Sequence, residues 1–440
     1  MKILICGANG FLGRHITASL QDAGHEVCLG VRKLKHPRQV QQAPAEIAVN
    51  FASDTSPAIW EARLRQMGRI DVIINAVGIF NESGADSFDA IHRDGPIALF
   101  QAAQACGIKT VIQISALGSK EESSWDTALT PYMRSKRATD DMLMHSDLNY
   151  LILRPSLVVG LDGGSSQLFR SMASMPLTML PGSGDQQVQP VHVDDLCTVI
   201  NHWLADPARQ KQILHAVGPV AMSYRQMLEN YRTAMGMPPQ YMIELPMPVM
   251  RAISRCASLL PASVLTPDSL HMLEQGNVAD AAAFATQLGT PAKSAKDWFK
   301  GIPAQMLASA AIAHWSQPLF RYVLALIWFV TAALSFGIYP IPASLALLQP
   351  LGLSGTAALL TLMAASSLDL CLGIASLLWP RRLLWLMQIG LITGYSIIIA
   401  LFSPEYYLHP FGPILKNLPI LAVLAYLYAH QRDSTQRETK

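Results

Sequence analysis

Tyr132-Met133-Arg134-Ser135-Lys136 sets a phenol four residues ahead of a primary amine. On a helix, positions four apart share a face, so the ammonium would stand beside the phenol. A neighbouring positive charge favours the phenolate and lowers the phenol pKa. Such a tyrosine can exchange a proton with a carbonyl or alcohol while a nicotinamide exchanges hydride. The spacing alone carries little, because twelve tyrosines and twelve lysines in 440 residues give about 0.3 chance occurrences. Its place in the chain carries more. It follows a strand-like run ending at Ser115 and opens a helical pattern with apolar Met133, Met142 and Leu143. The plain alternative is a surface helix with an ordinary tyrosine.

A second chemistry-bearing segment stands at the front of the chain, Gly7-Ala8-Asn9-Gly10-Phe11-Leu12-Gly13. Residues 2–6, KILIC, read as a buried strand before it. A helical pattern from Arg14 to Ala23 follows, Gly24 ends it, and Glu26 to Val31 reads as a second strand. Strand, glycine-rich turn, helix and strand within about 30 residues is the context a dinucleotide fingerprint requires. The glycines let the backbone approach a pyrophosphate, and the helix N-terminus supplies oriented N–H groups. An acidic residue closing the second strand would favour NAD through the ribose 2′-OH. Arg32 and Lys33 stand there instead, with Lys35 close by. Positive charge at that place suits a 2′-phosphate, so NADP(H) is expected over NAD(H); a solvated basic loop is the competing reading.

The elements that must position these residues repeat along the chain. Asp71 to Val77 reads as a strand ending in Asn75-Ala76-Val77-Gly78, and residues 96–107 as a helix closed by Gly107. Thr110 to Ser115 and Leu148 to Arg154 read as further strands, the latter ending at Pro155. Strands alternating with helices predict an α/β fold, a Rossmann-type doubly wound parallel sheet. Ligands bind such sheets beyond the carboxyl ends of the strands. Gly7, Gly78, Ser115 and Pro155 all fall at those ends.

Charge divides the chain. Of 64 Asp, Glu, Lys and Arg residues, 301–430 holds six: Arg321, Asp369, Arg381, Arg382, Glu405 and Lys416. From Tyr322 to Leu368 there is none. About 20 apolar residues span a bilayer as a helix, so four spans are expected, near 320–338, 356–378, 383–402 and 412–429. Pro413, Lys416 and Pro419 interrupt the fourth. Arg321, the Arg381-Arg382 pair, and Arg432, Arg437 and Lys440 fall at alternate loops. By the positive-inside rule both termini and the front domain are expected in the cytoplasm, with the protein multi-pass in the inner membrane. Asp369, inside the second span, is a functional candidate because an intramembrane carboxylate is costly; a hydrogen-bonded packing residue is the alternative. A net charge of +2 gives no reason to expect nucleic acid. The six cysteines form no CxxC pair and no His-linked spacing, so neither a metal site nor a disulfide framework is expected.

Together the glycine triplet, NAVG at 75–78, QISALGS at 113–119, YMRSK at 132–136, LRPSLVVG at 153–160 and PVHVDDL at 190–196 resemble the extended or atypical short-chain dehydrogenase/reductases. The branch they most resemble is that of the 39 kDa accessory subunit of complex I. The resemblance covers about residues 1–300. The tail, 318–430, resembles the DoxX-like membrane domain fused to such reductases in bacteria. The resemblance implies a catalytic acid/base at Tyr132, and Lys136 on the nicotinamide ribose. It implies a pyrophosphate cradle from Gly7, Asn9, Gly10, Phe11, Leu12 and Gly13. Arg32 would meet the adenosine ribose or its phosphate. Asn75, Ala76, Val77 and Gly78 would line the cofactor, and Pro155 would flank the nicotinamide. Residues 156–185 and 220–300 would form a small substrate lobe. It also implies a hinge role between the lobes for His192, Asp194 and Asp195.

The family's substrate-binding Ser or Thr often lies two positions beyond the first strand-end serine, and Leu117 occupies that place here. Ser115 is expected to substitute, with Ser119, Ser123 and Ser124 as alternatives. Asn50 and Asp54 are candidates for the adenine contact. The expectation is a membrane-anchored NAD(P)(H)-dependent oxidoreductase or epimerase for a lipophilic carbonyl, alcohol or quinone-related substrate in contact with membrane lipid. The alternative is a non-catalytic NAD(P)-binding sensor or accessory subunit of a membrane redox complex.

Overall fold

The computed structural model describes residues 1–34, 45–118, 130–258, 265–408, 412 and 414–431. Lys35, Ser119, Ser123, Ser124, Pro413, Arg432, Arg437 and Lys440 lie outside them. The chain divides into two units, Met1–Ala311 and Ile312–Lys440.

The first unit is built on seven parallel strands. In chain order the elements are β1 (Lys2–Cys6), α1 (Phe11–Asp22), β2 (Glu26–Val31), β3 (Glu46–Ala48), α2 (Pro57–Met67), β4 (Val72–Asn75), α3 (Gly95–Ala105), β5 (Thr110–Ile114), α4 (Pro131–Met144) and β6 (Asn149–Pro155). The seventh strand, Gln212–Ala216, lies beside β6, and the order across the sheet continues β5, β4, β1, β2, β3. The strands are nearly all apolar because helices cover both faces. Ile3, Ile5, Val72, Ile74, Leu151 and Leu153 pack on one side with Ile16 and Leu20 of α1 and Trp203 of helix Val193–Ala205. Leu4, Ile73, Val111 and Ile152 alternate to the other side, against Trp60, Leu64, Leu99 and Phe100. The order reverses at β1, whose neighbours are β2 and β4. A doubly wound sheet opens its crevice at such a switch point.

A smaller lobe has its own core, with Val159, Leu180, Tyr231, Trp298, Phe299, Leu307 and Ala311 buried together. His192 joins it to the sheet. Its Nε2 donates to the Trp298 carbonyl (3.1 Å), and its Nδ1 accepts the Asp194 N–H (3.2 Å). Asp195 accepts the Lys293 N–H, and Asp194 pairs with the Lys293 ammonium (2.5 Å). These three side chains are spent on protein partners.

Among the described residues three helices are long and apolar enough to cross a membrane, Ala304–Ile338, Gly355–Leu378 and Arg382–Phe402, the first of them starting in the first unit. Gln388 is fully buried among them. It accepts from the Trp328 indole (3.0 Å) and donates to Ser376 (2.9 Å). Asp369 lies on Gly355–Leu378, half-buried. The fourth expected span is corrected: it is a helix of 14 residues, Asn417–His430. At 1.5 Å per residue it reaches about 21 Å, short of a hydrocarbon core of about 30 Å. Pro419 fits in its first turn but would break a longer helix running through it.

Candidate active site

Thr130 caps α4 by accepting the Met133 N–H, and Pro131 occupies the first helical position. Proline at that position loses no intrahelical bond and presets the helical φ. The start of the helix therefore fixes Tyr132, with Lys136 one turn on. Lys136 is 3% exposed. Its Nζ donates to the carbonyls of Ile114 (3.1 Å) and Val77 (3.3 Å), at the carboxyl ends of β5 and β4. Burial lowers its pKa to about 8.

Tyr132 is half-buried against three rings, of which Phe80 is itself largely exposed. Phe80 stacks on it at 5.9 Å, while Phe88 and His92 meet it edge-on at 5.7 and 5.2 Å. Burial pushes its phenol up to about 12. This corrects the expectation of a phenol lowered by the adjacent ammonium. The lysine's protons are directed at two backbone carbonyls, and desolvation of the phenolate decides the shift.

His92 was not legible as a site residue in the sequence. It lies on a π-helical turn, Asp89–Asp94, that runs into α3. Such turns recur at functional sites and have no helical periodicity to betray them. His92 Nε2 accepts the Ile79 N–H (3.0 Å), so the ring proton sits on Nδ1, facing Ser135 Oγ (3.2 Å). Ser135 in turn donates to the Tyr132 carbonyl (2.8 Å). Burial and the Lys136 charge lower the imidazole to about 2, so it stays neutral and keeps this tautomer.

Ser115 is placed elsewhere. It is buried, and its hydroxyl donates to Asp140 Oδ2 (2.8 Å), which also accepts from Arg154 Nε (2.9 Å). The expected substrate hydrogen bond from Ser115 is thus replaced by a buried triad under α4. Leu117 is buried as well, 3% exposed. Asp140 sits four residues past Lys136, so an i, i+4, i+8 run of Tyr, Lys and Asp was the signal available for it. Arg154 and Asp140 are 4% and 0% exposed. Removing one partner leaves a charge buried, so Arg154→Met is expected to destabilise the fold by about 3–5 kcal/mol, read by thermal or urea unfolding.

The glycine turn fits a dinucleotide. A Cβ on Gly13 would lie 2.1 Å from the Gly7 carbonyl oxygen, and one on Gly7 3.0 Å from the backbone of Ala76 and Val77. Gly7 also holds φ +84°. No side chain caps α1, and its first turn carries no acidic residue. Its leading N–H groups, with no intrahelical acceptor, suit a pyrophosphate. Asn9 and Gly10 are exposed at this turn, and Leu12 is half-buried beside it. Phe11 turns away. Its ring fills the space a Cβ would need at Gly160 and Gly163, wedging the turn against the loop after β6. Asn75 is fully buried, donating to Gln113 (2.8 Å) and accepting the Val77 N–H (3.1 Å), so it shapes the turn. Ala76 donates its N–H to Cys6, and Gly78 is exposed where a Cβ would stand 3.5 Å from Lys136 Nζ. The Pro155 carbonyl accepts from Leu117. Arg32 pairs with Asp86 at 2.8 Å. Asp54 is taken by Arg63 and the Asn50 N–H, which leaves Asn50 the more exposed adenine candidate.

Residues 3–216 match the NAD dependent epimerase/dehydratase family. A sugar epimerase of Bacillus subtilis, itself uncharacterized, is 33% identical over 156 residues, 35% of this chain and 71% of its own. The chain belongs to the epimerase/dehydratase family. Its first unit is thus of the NAD(P)-dependent oxidoreductase and epimerase type. Residues 325–425 match the DoxX-like family. Two further matches are longer, over 252 and 256 residues. A ceramide reductase of Caulobacter vibrioides is 27% identical over 56% of this chain and 74% of its own. The mitochondrial NADH dehydrogenase [ubiquinone] 1 alpha subcomplex subunit 9 of Arabidopsis thaliana is 24% identical over 57% of this chain and 61% of its own. The UDP-glucose 4-epimerase of Thermus thermophilus, solved with NAD, superposes with a TM-score of 0.51 at 16% identity, over 71% of this chain and 99% of its own. That likeness concerns the fold.

Proposed function

We propose that the protein is a membrane-anchored NADP(H)-dependent oxidoreductase acting on a lipophilic carbonyl or alcohol. Tyr132 would be the proton donor and acceptor, and Lys136 the ribose-binding cation. The observation that carries the reading is the placement of Lys136 Nζ. It is held by the carbonyls of Val77 and Ile114 at the strand ends beside the switch point, one helical turn from Tyr132. The bound nicotinamide would supply or accept hydride. The chain's own part is to move a proton at Tyr132 Oη and to screen one side of the phenol from water with the buried rings of Phe88 and His92. Neutral His92, through Ser135, holds the backbone carbonyl of Tyr132 and so fixes the start of α4.

Apolar helices in the second unit and a relative named for ceramide reduction support a lipid-like substrate. Epimerase relatives keep the epimerase alternative open for the same residues. We place the first unit on the cytoplasmic face of the inner membrane, supported by Arg321, Arg381 and Arg382 at alternate loops; with three crossing helices the both-termini-inside arrangement, which needed a fourth, is not kept.

A second reading has a specific observation in its favour. Ser115 donates its hydrogen bond to Asp140, the Tyr132 phenol is pushed up to about 12 and holds its proton tightly, and one relative is a complex I subunit. This is the pattern of a dinucleotide-binding subunit without turnover.

The test is NADPH oxidation by the full-length chain in nanodiscs with a panel of long-chain ketones. Turnover supports the enzyme, and tight NADPH binding with no turnover on any of them favours the subunit. Below pH 8 Lys136 carries its charge and above it loses it, so NADPH affinity is expected to fall as pH rises through about 8. His92, neutral down to about 2, adds no acid limb between pH 5 and 7. A flat affinity from pH 7 to 10 would remove Lys136 from the binding site.

A further inference from the structure

The two strands that flank β1 are β2 and β4. Arg32 stands one residue past β2, Asp86 lies in the segment after β4, and their side chains meet at 2.8 Å. The pair therefore reaches across the carboxyl end of β1, the edge from which the glycine turn departs. Asp86 belongs to a tight clip. Ser83 and Asp86 exchange both backbone hydrogen bonds, 3.1 and 3.0 Å, around Gly84 at φ +58°. Glu82 accepts the Phe88 N–H at 2.7 Å. Phe80 before the clip and Phe88 at its end both lie on the Tyr132 ring. One short segment thus meets Arg32 at its turn and Tyr132 at its flanks.

We propose that the Arg32–Asp86 pair is a clasp on this segment, opened by a phosphate on the 2′ position of the bound dinucleotide and left closed by a dinucleotide without one. The proposal rests on reading Arg32 as the contact for the adenosine ribose. Asp86 presents one negative charge to a guanidinium that is half exposed. Exposed pairs of this kind are weak and exchange readily. A phosphate brings nearly two charges and three acceptor oxygens, so it competes well for the same fork. Asp86 then acts as a specificity residue: while it stays near Arg32 it offsets the positive charge that a 2′-phosphate seeks. Its release also loosens the clip that carries the two rings over Tyr132, which couples the adenosine end of the site to the proton-transfer end.

The experiment uses the full-length chain in nanodiscs, with NADPH and NADH affinities measured for wild type, Asp86→Asn, Arg32→Ala and the double variant. Hydrogen exchange of the 79–88 amides accompanies them. Asp86→Asn is expected to tighten NADPH about five-fold and leave NADH within about two-fold. In the Arg32→Ala background the same change should have no effect. NADPH, but not NADH, should speed exchange at 83–88 in the wild type. If Arg32→Ala selectively weakens NADPH while Asp86→Asn moves neither dinucleotide or both alike, the clasp is wrong and the reading of Arg32 stands. If Arg32→Ala does not discriminate between the dinucleotides, that reading falls and the clasp with it. Equal exchange with both dinucleotides overturns the coupling to Tyr132.

Discussion

Tyr132→Phe is expected to lower turnover by about 10²–10⁴-fold while NADPH binds within about two-fold of wild type. The change removes one oxygen and keeps the ring, so the stacking with Phe80 and the edge contacts with Phe88 and His92 persist. What is lost is the phenol hydroxyl that would give a proton to a carbonyl oxygen. General acid catalysis is worth about that factor. The high phenol pKa has a consequence for the profile. At neutral pH the tyrosine is a proton donor, so reduction of a carbonyl should need no prior protonation event at Tyr132. Oxidation of an alcohol needs the phenolate and should rise with pH until Lys136 begins to lose its proton near 8. Steady-state rates with NADPH and tight-binding measurements on the same samples separate the two effects. A Phe variant with undiminished turnover would move the chemistry away from Tyr132, and Asp369→Asn would then be the next variant to assay.

Gly13→Ala is expected to abolish dinucleotide binding and to lower stability by more than an ordinary overpacking change of about 1–3 kcal/mol. The added carbon would lie 2.1 Å from the Gly7 carbonyl oxygen and 2.8 Å from the Ala8 Cα. Both obstacles are backbone, so no side chain can swing aside. The turn must open, and the approach of α1 to β1 that shapes the cradle goes with it. Gly24→Ala is the control. Gly24 holds φ +80° with nothing within 4 Å of the added carbon, so it carries only the left-handed conformational penalty, about 1–2 kcal/mol. It should unfold slightly earlier and bind NADPH as wild type does. Equal losses at both positions would mean that the turn tolerates no change of any kind, and the argument from the cradle would fail.

The strands and the glycine turn were readable because their signals are local. A strand buried on both faces must be apolar through its centre, and β1, β4, β5 and β6 carry runs such as Ile3–Ile5, Val72–Ile74, Val111–Ile112 and Leu151–Leu153. A turn that brings Gly13 onto Gly7 admits no side chain, and the sequence writes glycine at both places. Tyr132 and Lys136 fall on one helix turn because Thr130 and Pro131 start the helix just ahead of them. Those four residues are neighbours in the chain, so their arrangement needs no tertiary information. The apolar length of three helices in the second unit is likewise a property of composition.

What the sequence by itself determined is thus the doubly wound sheet, the glycine cradle and the phase of Tyr132 against Lys136. Only the tertiary structure decided what those side chains face. Ser115 meets Asp140, 25 residues on, and so donates its hydrogen bond to a buried ion pair. Lys136 meets the carbonyls of two strand ends, and Tyr132 meets rings from a segment 40 to 52 residues earlier, so burial and not the neighbouring charge sets the phenol. Arg32 meets Asp86, 54 residues away, which offsets one of the charges of a basic strand end. The physical reason is common to all of them. Periodicity and turn chemistry act within a few residues and survive in one dimension, whereas desolvation, hydrogen-bond partners and charge pairing depend on distances that exist only after the sheet has closed.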